Sequence, residues 1–195
     1  VCERIPERYG MDALRDVQVL TPMHKGEVGT AALNQALQQR LNPARGRPEL
    51  RRAHVAFREG DRVLQLRNNY DKDVFNGDLG RVVEIDADAA EMACEFDSGL
   101  VHLEGAELDD LALAYAVSVH KSQGSEYPAV VMPVVTQHFL LLQRNLLYTG
   151  LTRARRLAVL VGSDKAMNIG LNAVTAGRRC TYLRHRLRHV FATSL

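Results

Sequence analysis

Apolar positions along the chain follow two regimes. At both ends they come as short continuous runs or at helical spacing; in the middle they alternate. Asp16-Val17-Gln18-Val19-Leu20 predicts a buried strand stopped at Thr21-Pro22, and Val28 to Leu41 repeats apolar residues at the helical period until Asn42-Pro43 ends it. Gly46 and Pro48 make the next segment a loop. From Gly60 the period drops to two. Arg62 to Arg67, Gly80 to Ile85, Glu91 to Phe96 and Leu100 to Leu103 read as short strands, with turns at Asn68-Asn69-Tyr70, Asn76-Gly77-Asp78, Asp86-Ala87-Asp88 and Asp97-Ser98-Gly99. That predicts a small barrel-like β-module.

The first regime then returns. Ala129 to Val135 is a continuous apolar run, the mark of a parallel strand covered on both faces. Phe139 to Arg155 is expected to be helical, Leu157 to Gly162 to be another buried strand, and Ser163-Asp164-Lys165 to start a helix. The chain therefore reads as an α/β domain over residues 13–57 and 108–174, interrupted by a β-module over 58–107 and followed by a basic tail over 175–195.

Composition narrows the class. The chain has 195 residues, 46% of them apolar and 25% charged, as in ordinary globular domains. No run of 18 apolar residues occurs, so no membrane-spanning helix is expected, and the opening residues lack the pattern of a signal peptide. The start at Val1, without methionine, reads as the edge of a piece of a longer protein. Cys2, Cys94 and Cys180 share no CxxC spacing and are odd in number, which suggests free thiols and a cytoplasmic setting. The net charge of +2 hides a segregation: nine Lys or Arg fall between Arg45 and Arg81, and ten acids lie between Arg81 and Lys121. The tail adds five Arg and no acid after Ala176. Such blocks suggest a localised polyanion contact or, equally, a solvated charged face.

No self-sufficient active site is visible. The chain contains no Gly-Lys dipeptide and hence no P-loop; HExxH, GxSxG and GxGxxG are also missing. Asp109-Asp110 does not follow an apolar strand run, and His185/His189 sit in the Arg-rich tail, so neither is a strong metal candidate. Two segments stand out instead. Ser118 to Tyr127 packs hydroxyls, a base, an amide and Gly124 between apolar strands, where α/β sheets place ligands, although a polar turn with capping serines has the same composition. Tyr148 to Arg156 puts arginines just before a buried strand. They could meet a phosphoryl group or simply complement a helix end.

Taken together these segments resemble superfamily 1 DNA helicases. Val117–Tyr127 is similar to their motif V, Leu147–Arg155 to motif VI, and Thr21-Pro22-Met23-His24-Lys25-Gly26 with Ala32-Leu33-Asn34 to the motif IV region. Val63-Leu64-Gln65, Asn68-Asn69-Tyr70 and Val74-Phe75-Asn76-Gly77-Asp78-Leu79-Gly80 resemble the RecD-like branch, which includes the exodeoxyribonuclease V alpha subunit. The resemblance implies a RecA-like parallel-sheet domain, the second of two, carrying an SH3-like β-barrel insert. It implies the C-terminal motor half of an ATP-dependent helicase moving 5′→3′ on single-stranded DNA, inactive without the first RecA-like domain. ATP and Mg2+ would be held mainly by that domain, and other exonuclease V subunits would be possible partners. By the same resemblance Arg153 is the arginine that reaches the γ-phosphate. Lys25, Gly124 and Glu126 are nucleotide-side residues, and Ser118 and His120 face the DNA backbone. The rival expectation is a non-enzymatic single-strand-binding or protein-interaction module derived from a helicase or relaxase.

Overall fold

The computed structural model describes residues 1–173 and Tyr182, so the basic tail, Tyr182 apart, lies outside the described residues, as does the His185/His189 pair. A short helix, α1 (Arg4–Tyr9), stops at Gly10, whose φ of 62° is the left-handed conformation a helix end uses. Strand β1 (Val17–Thr21) is buried at all five positions. Its two polar side chains are satisfied. Gln18 Nε2 donates to the carbonyls of Ala114 and Tyr115 at 3.2 and 3.1 Å, and Thr21 Oγ1 donates to Val28 O at 2.7 Å. Helix α2 (Thr30–Leu41) begins two residues later than the spacing predicts.

The segment expected to be a loop after Pro48 instead forms a hairpin, β2 (Glu49–Arg52) and β3 (Val55–Arg58). Arg58 donates from Nε to Glu49 Oε1 at 2.6 Å, and the hairpin buries Leu50 and Phe57. The alternating region gives β4 (Arg62–Gln65), β5 (Leu79–Asp86), β6 (Glu91–Phe96) and β7 (Gly99–Glu104), followed by a 3-10 turn and β8 (Leu111–Leu113). These five strands form an antiparallel sheet in the order β7-β6-β5-β4-β8, around a core that includes Phe57, Val63, Met92, Leu103 and Leu108.

The chain then re-enters the first sheet with β9 (Ala116–Ser118) and β10 (Tyr127–Val134), followed by α3 (Arg144–Leu151), β11 (Ala154–Gly162) and α4 (Asp164–Asn172). Strands β11-β10-β1-β9 are all parallel. Both faces of this sheet are covered except along the edge strand β11, which has no buried residue, so the strand expected over Leu157 to Gly162 forms but is not buried. Leu142, Leu146, Leu147 and Ala166 pack on one side, and Ile5, Met11 and the half-buried Leu33 and Leu37 on the other. The architecture is a RecA-like parallel sheet joined to an SH3-like antiparallel unit.

The helix expected over Phe139 to Arg155 shrinks to eight residues. His138 and Leu142 are buried, and the Leu141 and Leu142 amides both bond to His138 O at 2.8 Å. The chain there makes one tight turn that leaves Phe139 and Leu140 outside. At the other end Ala154 already pairs with Tyr127, so Arg155 is a strand residue. Gly150 lets α3 lie close on β10, since a Cβ there would sit 2.7 Å from the Met132 sulfur.

Cys94 has no exposed surface, and burial pushes its thiol up to about 12. A group so raised carries almost no thiolate at neutral pH. Iodoacetamide at pH 8 should therefore leave Cys94 unmodified in the folded chain and label it in denaturant. Mass spectrometry distinguishes the two, and equal rates would show that the β-unit core is open.

Candidate functional site

Three of the six residues expected to act stand at the carboxyl ends of β1 and β9: Ser118 closes β9, and Lys25 and His120 lie in the loops that follow the two strands. Thr21 and Ser118 are register partners there, and Val119 N bonds to Thr21 O at 3.1 Å. The loop carrying Lys25 folds back onto the start of α2. The Thr30 and Ala31 amides bond to Met23 O and His24 O at 3.0 and 3.3 Å, and His24 Nδ1 meets Thr30 Oγ1 at 2.7 Å. Gly29 makes this possible, because a Cβ would lie 2.5 Å from the carbonyl oxygens of His24 and Lys25. Lys25 itself is exposed.

After Ser118 the chain makes a compact turn. Ser122 N bonds to Ser118 O, and Ser125 N to Ser122 O, each at 3.1 Å; the buried Ser122 hydroxyl donates to Val119 O at 2.8 Å. Ser118 Oγ accepts from the Lys121 amide at 3.2 Å and keeps its own proton to donate. His120 is exposed and lines a cleft of about 170 Å3 with Gln123, Leu141, Gln143, Asn145 and Thr149. Gly124 has a φ of 88° and open space where a Cβ would be, so conformation rather than crowding calls for glycine.

The turn ends at the opposite edge of the sheet, where β10 and β11 begin. Tyr127 N bonds to Arg153 O at 2.8 Å. The Arg153 guanidinium donates to Ser125 O at 3.1 Å and Thr149 O at 3.3 Å, with a longer contact of 3.4 Å to Thr152 Oγ1. All are uncharged acceptors. Among the described residues no carboxylate lies within ion-pair distance of Arg153. Arg155 differs: its Nε lies 2.9 Å from Glu126 Oε2, and both side chains are mostly exposed.

The structure thus sorts the candidates into two groups. Lys25, Ser118 and His120 stand at the carboxyl edge; Glu126 and Arg153 stand at the amino edge, with Gly124 in the turn between. The five-residue β1 separates the two edges by about 13 Å. Lys25 and Arg153 are therefore not adjacent within this domain. Among the described residues no group of three or more His, Cys, Asp or Glu is placed to hold a metal ion.

Two participants escaped the sequence reading. One is the Ser125 carbonyl that holds Arg153, a backbone group with no signature in residue type. The other is Lys121, whose Nζ reaches Asn76 Oδ1 at 3.3 Å and ties the turn to the antiparallel sheet. Part of the basic block is held by partners within the protein. Arg62 donates to Val17 O and Gln18 Oε1 at 2.9 and 2.6 Å, Arg58 and Glu49 pair, and Lys72 lies 2.5 Å from Glu107. Those three charges are tied into the scaffold, whereas Arg45, Arg47, Arg51, Arg67 and Arg81 are exposed.

Comparison with known proteins agrees with this fold. Residues 33–96 match the ATP-dependent RecD-like DNA helicase SH3 domain, and residues 113–161 match the UvrD-like helicase C-terminal domain. The chain is 43% identical over 172 residues to the ATP-dependent RecD2 DNA helicase of Deinococcus radiodurans, covering 88% of this chain and 23% of that protein. It is 29% identical over 182 residues to the RecBCD enzyme subunit RecD of Mycolicibacterium smegmatis, covering 93% of this chain and 31% of that protein. The chain therefore spans about a quarter to a third of these relatives. In fold it is similar to the Pif1 helicase from Bacteroides, crystallised with ADP-AlF3 and ssDNA, at a TM-score of 0.61 and 17% identity over 98% of this chain and 48% of that one. Its SH3 and C-terminal helicase domains, together with its homology to RecD2 and RecD, make the chain a C-terminal region of the RecD-like superfamily 1 helicases.

Proposed function

We infer that this chain is the C-terminal motor half of an ATP-dependent helicase that moves 5′→3′ on single-stranded DNA. ATP would be held mainly by a P-loop domain outside the chain. Arg153 is the catalytic residue, supplying positive charge to the γ-phosphate as it leaves. Glu126 and Gly124 border the nucleotide, and Lys25 presents a further cation; Ser118 and His120 grip DNA phosphates. The observation that carries this reading is the Arg153–Ser125 bond. A guanidinium with no acidic partner among the described residues is anchored to the very turn whose other end bears Ser118 and His120.

That link supports a physical route for coupling. An anion that draws on Arg153 competes with the Ser125 carbonyl, and any shift passes along a hydrogen-bonded turn to Ser118. Among the described residues no cluster of side chains fits a Mg2+ site. A cytoplasmic setting and assembly with other exonuclease V subunits accompany the reading.

The competing reading is a non-enzymatic single-strand-binding or protein-interaction module, and the isolated chain tests both. It should show no ATPase activity with or without DNA, and weak binding to oligothymidine that falls steeply with salt, because the contacts are to phosphates. Robust DNA-stimulated hydrolysis by the chain alone would overturn the split-site reading. Tight, salt-indifferent binding would favour the module.

A further inference from the structure

Two large aromatic side chains stand out of the antiparallel sheet beside the motif V turn. Tyr70 is 76% exposed and Phe75 40%, with ring centroids 6.0 Å apart in an edge-to-face arrangement of 74°. They are held there by a rigid loop. Asn69 and Val74 exchange backbone bonds of 2.7 and 3.1 Å, and Val74 between the rings is 1% exposed. Asn76 N bonds to Asn68 Oδ1 at 2.9 Å, Phe75 N to Asp78 Oδ2 at 2.8 Å, and Asn68 Nδ2 to the Tyr70 hydroxyl at 2.9 Å. Val74 turns into the core and Phe75 faces water. A ring already fixed in place loses little freedom on binding.

Position supplies the rest. Asn76, next to Phe75, receives the Lys121 ammonium at 3.3 Å, and Lys121 follows His120. The loop that bears the rings thus touches the turn that bears Lys121 and His120. We propose that Tyr70 and Phe75 are a base-stacking platform that extends the DNA track from the motif V turn onto the antiparallel sheet and takes unpaired bases of single-stranded DNA. This rests on the reading of the turn as a DNA grip. The immediate sequence neighbours Asn68, Asp71, Asp73 and Asn76 are polar and exposed, which favours a base over an apolar protein partner. The two exposed acids repel phosphate from directly over the rings, so phosphates lie on the Lys121 side and bases on the aromatic side. Every base has a π-face, so the platform is indifferent to sequence, whereas the stacked bases of a duplex have none to offer.

The test compares a twelve-residue oligothymidine with an abasic deoxyribose-phosphate oligomer of equal length, by fluorescence anisotropy with the intact chain. Tyr70→Ala and Phe75→Ala should each weaken oligothymidine binding roughly tenfold, as loss of a stacked base does. Tyr70→Phe should keep it, and the abasic oligomer should bind parent and variants alike. The salt slope should be the same for all, because the phosphate contacts are untouched. Equal affinities of parent and both alanine variants for oligothymidine would overturn the platform while leaving the phosphate grip in place. Failure of the parent to bind either oligomer at low salt would overturn the DNA-track reading itself, and the platform with it.

Discussion

Replacing Arg153 by alanine, in a helicase that joins this chain to a P-loop domain, is expected to lower ATP turnover by about 10³–10⁵-fold while single-strand binding changes little. The charge it supplies matters where negative charge develops in the transition state, so kcat falls more than nucleotide affinity. Its present partners are the carbonyls of Ser125 and Thr149, each a neutral bond worth about 1 kcal/mol, so the variant should melt close to the parent. Arg153→Lys should rescue poorly, because one ammonium cannot span both carbonyls and an incoming phosphate oxygen. Arg155 and Arg156 are the controls. Arg155 is paired with Glu126 at the surface, an interaction of little energy, and its loss should be mild. Comparable losses at all three arginines would reduce motif VI to a helix-end charge cluster.

Much of the fold is legible in the chain because its two hydrophobic regimes are clean. The buried runs at Val17–Thr21 and Tyr127–Val134 and the alternation through β4 to β7 all register as strands. The hairpin β2–β3 does not, since Glu-Leu-Arg-Arg offers a single apolar residue and Gly46 and Pro48 precede it. It exists because Phe57 and Leu50 fill the β-unit core and Arg58 pairs with Glu49. The overlong helix has a different cause. Phe139-Leu140-Leu141-Leu142 fits helical spacing, yet only Leu142 reaches the core.

The candidate residues were legible only through motif resemblance, and their grouping was not legible at all. Ser118 and Tyr127 are close in sequence, but β9 and β10 run parallel, so the turn between them must cross the full height of the sheet. That crossing splits the motif V residues between the carboxyl edge, with Ser118 and His120, and the amino edge, with Glu126. It also parts Lys25 from Arg153, which sequence order cannot reveal.

The junction of the two sheets carries the second large effect. Asp61 is wholly buried just before β4, and its carboxylate accepts four bonds: from Gln38 Nε2 at 2.5 Å, Asn42 Nδ2 at 2.7 Å, the Tyr115 hydroxyl at 2.7 Å and the Arg58 amide at 2.8 Å. Gln38 and Asn42 belong to the end of α2, Arg58 to β3, and Tyr115 to the link between β8 and β9. One carboxylate therefore pins the antiparallel unit to the parallel-sheet domain at both crossings. Asp61→Ala removes the acceptor of the Tyr115 hydroxyl and the Arg58 amide and one of the two acceptors of Gln38 Nε2 and Asn42 Nδ2, and is expected to cost about 3–5 kcal/mol, roughly a 10 °C fall in Tm for a chain this size. Asp61→Asn should cost nearly as much, since its amide points a donor at donors. Tyr115→Phe removes one donor only and should cost about 1 kcal/mol. Burial, opposed by the four donors, raises the Asp61 pKa above the ordinary carboxylate value. Between its unfolded and folded values the native chain holds more proton than the unfolded one, so Asp61 makes stability fall as pH rises through that window. Above it the contribution is constant. Urea melts of the parent and Asp61→Asn from pH 4 upward should show this slope in the parent and lose it in the variant. A Tyr115→Phe cost equal to that of Asp61→Ala would mean that the hydroxyl, not the carboxylate, holds the junction.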